Sequence, residues 1–315
     1  MCERAFGRGV PVVSVQELDG GNCNTTYLVG MAALDPVILR VAPPPGARVF
    51  WHEEDLMRKG HTIQPYLAPI AALLPRTLTV DFTRQIVDRD YLFQTYMAGE
   101  RWHEGAHGLA PDDDEALWRQ FARLARTIHG VTGEAFGYPY PGPQFSSWSL
   151  TVLDYIAHVV TDVGDEGLDA TDIRTVYRAA EENAAVLDEI TQPCLTHGDL
   201  WPFNMLIAHP ADGAAIVAVL DAERAWWCDP MADWTAHLFR IKTAPGMVRH
   251  RAIFWDEYGP RAHSPSAHLR ELVYDGMHTG AILASARRRH HPRSVAESRD
   301  HLRDVAATLR RMALS

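Results

Sequence analysis

No run of apolar residues in the 315-residue chain approaches the roughly 18 that a membrane span requires. The apolar stretch over residues 214–220 is far too short, and residues 1–15 lack the basic start and long apolar segment of a secretory signal. We therefore expect a cytoplasmic protein that does not interact with a membrane.

Cysteine is scarce, since the chain has four, and none of them stands in a C-x-x-C spacing. The cysteines therefore suggest neither a zinc site nor a disulfide framework. We find no internal repeat or low-complexity segment. The 30 basic side chains are outnumbered by 40 acidic ones, and a net charge of −10 argues against nucleic acid as a partner. It is compatible with a cationic small-molecule substrate.

The composition is that of an ordinary globular protein, with 47% hydrophobic and 22% charged residues. A chain of this length suggests about two domains. The first hundred residues are rich in β-formers, and a polar Gly/Asn turn over 19–24 joins the first two apolar runs as in a hairpin. The pattern predicts a helix over 51–67 and strands over 11–18, 25–30, 37–42, 78–81 and 91–97.

After Gly99 the pattern becomes helical. An acidic start at 112–115 precedes apolar residues at spacings of four and three, and the segment over 169–190 repeats this pattern. The last 80 or so residues are also mostly helical in pattern. We predict an α+β fold with a β-rich N-terminal lobe over 1–96 and a helical C-terminal lobe over 97–315, which cross over near residues 95–99.

The most informative segment is residues 195–207, because it contains His197-x-Asp199-x4-Asn204 and runs into an apolar strand. A second apolar run, 216–220, ends in Asp221, and a turn over 210–213 joins the two. The spacing arises by chance only ~0.015 times in a chain of this composition. A hairpin of this kind can place Asp199, Asn204 and Asp221 around one cavity, as in phosphoryl transfer.

These residues resemble the aminoglycoside phosphotransferase and choline-kinase-like family, whose members have a bilobal protein-kinase-like fold. Its version of the catalytic loop is similar to His197-Gly198-Asp199, and Asp221-Ala222-Glu223 stands where protein kinases have Asp-Phe-Gly. Further similarity lies in the segments 128–130 and 229–234. The resemblance covers roughly residues 12–280 and is strongest in the C-terminal lobe.

The resemblance implies that Asp199 is the catalytic carboxylate and that Asn204 and Asp221 hold Mg²⁺ against ATP. For His197 it leaves two roles open, orienting the loop or acting as a base. We favour the first, because Asp199 is already positioned to accept the proton. Asp233 is expected to bond back to the loop. For Glu223 and Asp229 a site role and a capping role stay open.

In the N-terminal lobe the family pattern is less complete. Three groups of residues would contact the nucleotide: the loop with Gly21 and Asn22, the cation Arg40 with an acidic partner, and the backbone near Thr95 and Met97, which would bond the adenine. Arg40 lies between Leu39 and Val41 and so faces the opposite side of its strand. Its expected partner is Glu53, with Glu54 as the alternative.

The function that the resemblance implies is ATP-dependent phosphorylation of a small-molecule hydroxyl. An antibiotic of the aminoglycoside, peptide or nucleoside type is the favoured substrate, and resistance would follow. The alternatives are a metabolic small-alcohol or sugar kinase, and a nucleotide-binding pseudokinase suggested by the incomplete glycine loop. The preference between ATP and GTP stays open.

Overall fold

The structure, a computed structural model, describes residues 1–18, 23–32, 34–211, 213–242 and 245–313. Its strands are β1 (Val12–Leu18), β2 (Thr25–Met31), β3 (Leu34–Val41), β4 (Thr77–Asp81), β5 (Tyr91–Thr95), β6 (Glu100–Arg101), β7 (Phe136–Gly137), β8 (Gln144–Phe145), β9 (Cys194–Thr196), β10 (Met205–Ala208), β11 (Ala215–Val219) and β12 (Trp226–Cys228). Its α-helices are α1 (Cys2–Phe6), α2 (Leu56–Ile63), α3 (Trp102–Gly105), α4 (Pro111–His129), α5 (Trp148–Asp165), α6 (Thr171–Glu182), α7 (Ala184–Leu187), α8 (Trp234–Ile241), α9 (Pro245–Tyr258), α10 (Pro265–Arg288) and α11 (Pro292–Met312).

The predicted α+β class is confirmed, and the contacts divide the chain into two compact units. The first comprises residues 1–120 and 202–224, and the second comprises residues 121–201 and 225–315. These bounds differ from those of the lobes predicted over 1–96 and 97–315, and the assignment of functions to those lobes stays a prediction. In the part of the chain that the structure describes, no helix has both the length and the apolarity needed to cross a membrane.

The first unit contains a five-stranded antiparallel sheet in the order β1-β2-β3-β5-β4. Side chains on alternate positions of its central strands form a buried cluster against which α1 packs, consisting of Val29, Met31, Val37, Leu39, Val41, Tyr91 and Phe93. The Phe6 ring meets the Phe93 ring edge to face at 5.1 Å. Because Leu39 and Val41 point into this cluster, Arg40 points to the other face of the sheet, as predicted.

The helix predicted over 51–67 is broken into three parts. A single 3₁₀ turn, Trp51–Glu53, precedes Asp55, whose φ of 51° is left-handed and interrupts the helix before α2 begins. Another 3₁₀ segment, Gln64–Leu73, follows α2 and contains two prolines. The helix predicted over 169–190 is likewise divided into α6 and α7, at Asn183.

The second unit combines a small antiparallel sheet, in the order β8-β7-β12-β9, with a bundle formed by α5, α6, α10 and α11. Two glycines let α10 approach its neighbours closely. A Cβ atom on Gly276 would lie 2.6 Å from Val176 of α6, and one on Gly280 would lie 2.7 Å from Val159 of α5. The helices can pack this closely because glycine has no side chain at either position.

A Gly276→Ala substitution is expected to lower the free energy of unfolding by ~1–3 kcal/mol, because the added methyl overpacks the contact with Val176. Gly164→Ala is the matched control, since it lies in α5 with open space around it and should gain about 0.5 kcal/mol from helix propensity. Urea denaturation of both variants checks the pair. Equal stability of Gly276→Ala and the wild type would contradict this account of the packing.

Candidate active site

Asn204 and Asp221 lie at the same end of the β10–β11 hairpin in the first unit. Met205 pairs with Val219 across the two strands, and the Leu220 N–H donates a 2.8 Å hydrogen bond to the Asn204 carbonyl. Asp221 follows with a φ of 58°, a left-handed conformation that aspartate and asparagine adopt more readily than most residues. The hairpin therefore brings one amide and one carboxylate to a single end.

This pair of side chains fits a magnesium ion that is shared with a nucleotide. Mg²⁺ prefers oxygen ligands and is usually held by one or two protein groups together with phosphates and water. Among the described residues, no cluster of three or more His, Cys, Asp or Glu side chains is arranged to hold a metal ion. A cation at Asn204 and Asp221 would thus need phosphate and water oxygens to complete its shell.

Arg40 is held by two carboxylates of the segment that follows β11. Its Nη1 lies 3.0 Å from Asp221 Oδ1, and its Nη2 donates to Glu223 Oε1 at 2.9 Å. Asn24 donates to the same Glu223 oxygen at 3.0 Å. Burial opposes the charge on Arg40, but Glu223 and Asp221 raise the pKa of its guanidinium above the usual value. Arg40 is therefore a fixed cation beside the candidate metal ligand Asp221.

The prediction that Glu53 pairs with Arg40 is wrong, because Glu53 pairs with another cation, Arg224. Arg224 Nη2 donates to Glu53 Oε1 at 3.0 Å, and the Phe50 N–H donates to Glu53 Oε2 at 3.3 Å. The reason is the break before α2: Glu53 ends a 3₁₀ turn and does not lie on the helix from which a partner of Arg40 was expected. Glu54, the alternative, is exposed.

Gly60 on α2 makes room for the carboxylate that does pair with Arg40. A Cβ atom at this position would lie 2.8 Å from Glu223 Cβ and 3.1 Å from Glu223 Cα. The sequence offered a signal for this contact, since a glycine inside a helical pattern often marks a close approach. No such signal marked Asn24, which donates to Glu223, or Arg224, which pairs with Glu53.

Replacing Glu223 by glutamine is expected to raise the KM for nucleotide about 5- to 30-fold, because a buried charge pair with Arg40 becomes a weaker neutral contact. Glu53→Gln is the matched control, since it removes an equally short pair with Arg224 and leaves both partners of Arg40 in place. Steady-state kinetics with varied nucleotide measures both. A larger rise in the KM for nucleotide in Glu53→Gln than in Glu223→Gln would show that Glu53, and not Glu223, positions Arg40.

The residues expected to contact the nucleotide base and phosphates are only partly described. Gly21 and Asn22 lie outside the described residues. Thr95 is the last residue of β5, and its N–H donates to the Arg76 carbonyl at 2.9 Å, so this N–H is already engaged within the sheet. Met97 follows two residues later, half-buried. Adenine contacts at the backbone near Thr95 and Met97 stay a prediction.

In the second unit, β9 leads directly into the segment with His197 and Asp199. His197 is fully buried and Asp199 is half-buried. Gly198 between them has a φ of 73°, which a glycine adopts without steric cost. Its N–H donates to Asp233 Oδ1 at 3.0 Å, so Asp233 bonds back to this loop as predicted. The loop geometry is thus fixed from outside the loop.

Asp233 is itself held by His129, in the segment 128–130 singled out from the sequence. His129 Nε2 lies 3.1 Å from Asp233 Oδ2, and His129 Nδ1 lies 2.8 Å from the Tyr258 hydroxyl. A carboxylate only accepts hydrogen bonds, so Nε2 carries a proton and donates a hydrogen bond to Asp233. Burial opposes the charge on Asp233, but the hydrogen bond from His129 holds its pKa below the usual value.

Asp229 is buried, and its side chain caps a turn. Its Oδ1 accepts the Met231 N–H at 3.0 Å, and its Oδ2 accepts the Tyr274 hydroxyl at 2.8 Å. Burial raises the pKa of its carboxyl. Of the two residues whose roles the sequence left open, Asp229 therefore caps a turn and Glu223 pairs with Arg40.

The sequence matches the profile of the "Phosphotransferase enzyme family" (APH) over residues 14–270. Among the solved structures that it resembles is a thermostable mutant of the aminoglycoside phosphotransferase APH(4)-Ia in a ternary complex with AMP-PNP and hygromycin B, at 17% identity, a TM-score of 0.68, and coverage of 97% of this chain and 96% of that one. Another is the GDP and kanamycin complex of APH(2″)-IIIa, at 15% identity, a TM-score of 0.63, and coverage of 98% and 97%.

A third similar structure is a putative fructosamine-3-kinase from Thermobifida fusca, at 19% identity, a TM-score of 0.64, and coverage of 96% of this chain and 98% of that one. No curated protein matches the sequence. At these identities the structural likeness establishes the fold, which is the predicted protein-kinase-like one, while the family match covers most of the chain. The chain therefore belongs to the phosphotransferase enzyme family and is a small-molecule kinase.

Proposed function

We propose that the chain transfers the γ-phosphoryl group of ATP to a hydroxyl of a small molecule, with Mg²⁺ as cofactor. The observation that carries this proposal is the shared hairpin end of Asn204 and Asp221, with Arg40 Nη1 3.0 Å from Asp221. Together they offer two oxygen ligands for a cation and a guanidinium for phosphate oxygens. The similar structures with AMP-PNP and GDP support a nucleotide as the phosphoryl donor.

In this proposal several residues bind the phosphoryl donor, and one residue acts on the acceptor hydroxyl. Asn204 and Asp221 would hold Mg²⁺, which when bound neutralises charge on the transferred group. Arg40 would bind phosphate oxygens, and Glu223 keeps its guanidinium in place. Asp199 would orient the acceptor hydroxyl and take its proton as the new bond to phosphorus forms. His197 would support the loop, since it is fully buried.

For the acceptor, an antibiotic is the first candidate, and the cell would gain resistance by modifying it in the cytoplasm. The support is that two of the similar structures contain hygromycin B or kanamycin. A metabolic alcohol or sugar derivative is the second candidate, because a putative fructosamine-3-kinase is similar to a comparable degree. The family match favours either kinase over a nucleotide-binding pseudokinase.

The test is a screen of the purified protein with Mg-ATP and Mg-GTP against antibiotics and metabolic alcohols. We expect nucleoside diphosphate release that depends on the acceptor, together with an acceptor whose mass rises by one phosphoryl group. A strain that expresses the chain should tolerate the antibiotic only if that antibiotic is the acceptor. Release that no acceptor stimulates, with no phosphorylated product, would contradict the proposed function.

A further inference from the structure

Asn24 is a buried polar residue that directly precedes β2. Its side chain is largely withdrawn from water, since the residue is 5% exposed. In the sequence it stands just after Gly21 and Asn22, which are expected to contact the nucleotide. A buried amide without a hydrogen bond costs about 1–3 kcal/mol, so the partner of Asn24 indicates what this residue does.

The amide of Asn24 donates to the carboxylate that also pairs with Arg40. Asn24 Nδ2 lies 3.0 Å from Glu223 Oε1, and Arg40 Nη2 lies 2.9 Å from the same oxygen. A carboxylate only accepts hydrogen bonds, which fixes the amide with its nitrogen toward Glu223. Asn24 and Arg40 thus share one acceptor oxygen, and neither can keep its contact if the Glu223 side chain turns away.

A second contact joins the same two segments of the chain. Cys23 Sγ lies 3.9 Å from Arg224 Nη2, the atom that also donates to Glu53 Oε1 at 3.0 Å. Two consecutive residues before β2 therefore contact two consecutive residues after β11. The hydrogen bond from Asn24 to Glu223 is part of this juxtaposition and is the part that reaches Arg40.

The orientation of Glu223 matters because Arg40 has a second carboxylate neighbour. Arg40 Nη1 lies 3.0 Å from Asp221 Oδ1, and Asp221 is the candidate metal ligand. If Glu223 turned away, the guanidinium would be left with Asp221 as its counter-charge and would follow that side chain. A donor that fixes Glu223 keeps Arg40 between the two carboxylates and limits the conformations that the glutamate can adopt.

We propose that Asn24 is a positioning residue for nucleotide binding: its amide holds Glu223, and through Glu223 it holds the guanidinium of Arg40 that binds phosphate oxygens of the donor. The inference rests on the proposed function, which it deepens. Asn24 contacts no substrate in this role. Its effect reaches the nucleotide only through the shared oxygen of Glu223.

A double-mutant cycle on the full chain tests this, with binding of AMP-PNP or its guanosine counterpart measured by calorimetry in the presence of Mg²⁺. We expect Asn24→Ala to weaken analogue binding about three- to tenfold, because a hydrogen bond to a charged group is lost while Arg40 itself remains. In a Glu223→Ala background the same substitution should change the affinity less than about twofold, because the group through which Asn24 acts is gone.

Two further measurements distinguish positioning from a general loss of structure. In steady-state kinetics Asn24→Ala should raise the KM for nucleotide and change kcat less than about twofold, and Asn24→Gln, which keeps the amide, should recover part of the affinity. Gln120→Ala is the matched control, since this amide donates to the Ala214 carbonyl and accepts from the Ile216 N–H, both at 2.9 Å, in the same unit. It should melt at a lower temperature and bind the analogue as the wild type does.

The positioning role is overturned if Asn24→Ala keeps the wild-type affinity, if it weakens binding equally in both backgrounds, or if Gln120→Ala weakens binding as much. Asn24→Ser, whose hydroxyl is too short to reach Glu223, replaces the alanine variant if that variant does not fold. Failure of both to fold would make Asn24 a structural residue and would also overturn the proposal.

Phosphoryl transfer separates this result from the proposed function. Analogue binding that depends on Asn24 and Glu223 together, with no phosphorylated product from any acceptor, would support the positioning role and contradict the kinase proposal. Transfer to an acceptor by a folded Asn24→Ala variant with the wild-type KM for nucleotide would do the reverse.

Discussion

An Asp199→Asn variant is expected to lose roughly two to four orders of magnitude in phosphoryl transfer while its nucleotide affinity stays nearly unchanged. An alcohol is a poor nucleophile, and a placed carboxylate can orient it and accept its proton as the bond to phosphorus forms. Asparagine keeps the shape of the side chain and removes the accepting charge. The loop keeps its conformation because it is fixed by the bond from Gly198 to Asp233 and by that from Thr235 to Leu200.

Two measurements are needed, turnover with a saturating acceptor and nucleotide affinity by calorimetry. Asp169→Asn serves as the matched control, since it removes an exposed carboxylate from a loop of the same unit. Wild-type turnover in Asp199→Asn would show that another group, such as His197, takes the proton. Loss of nucleotide binding together with turnover would show that Asp199 supports the structure instead.

The parts of the site that follow from local pattern could be predicted from the sequence. The alternation of Leu39 and Val41 with Arg40 fixes which face of β3 carries the cation, because successive side chains of a strand point to opposite sides. The two apolar runs joined by a short turn likewise predict the hairpin whose end carries Asn204 and Asp221. Both inferences need only neighbours along the chain.

The partner of Arg40 could not be predicted in this way. Glu53 stands at a suitable distance along the sequence, but the left-handed Asp55 separates it from α2, and the segment after β11 supplies Glu223 instead. The choice between them depends on how two remote segments pack, and the one local hint is Gly60, which leaves space for Glu223.

The cluster of His237, Arg240, Asp275 and His301 gave no signal at all in the sequence. Its members come from three helices, α8, α10 and α11, and each of them looks like an ordinary polar residue in its own helix. Only the structure shows that Asp275 lies 2.8 Å from His237 Nδ1, 2.9 Å from His301 Nε2 and 3.8 Å from Arg240 Nε. Such clusters depend on tertiary packing, which periodicity does not encode.

An Asp221→Asn variant is expected to lose phosphoryl transfer by on the order of 10³-fold or more, because the loss of several kcal/mol of charge stabilisation from a metal ligand corresponds to at least that factor. Nucleotide binding in this variant should no longer respond to Mg²⁺. The substitution also removes the ion pair with Arg40, but Glu223 still holds that guanidinium at 2.9 Å. Titration of nucleotide affinity against Mg²⁺ therefore measures the metal role separately from the role of Arg40.

Asp221→Ala provides the second half of this experiment. Asp221 has a φ of 58°, and alanine tolerates the left-handed conformation less well than asparagine, at a cost of about 1–2 kcal/mol. Both variants should lose turnover alike and both lose the ion pair with Arg40, but the alanine variant should unfold at a lower temperature than the asparagine variant, by a few degrees for about 1 kcal/mol in a chain of this size. Equal melting temperatures of the two variants would contradict the argument from the left-handed backbone. Wild-type turnover in either variant would show that Asp221 is not a metal ligand.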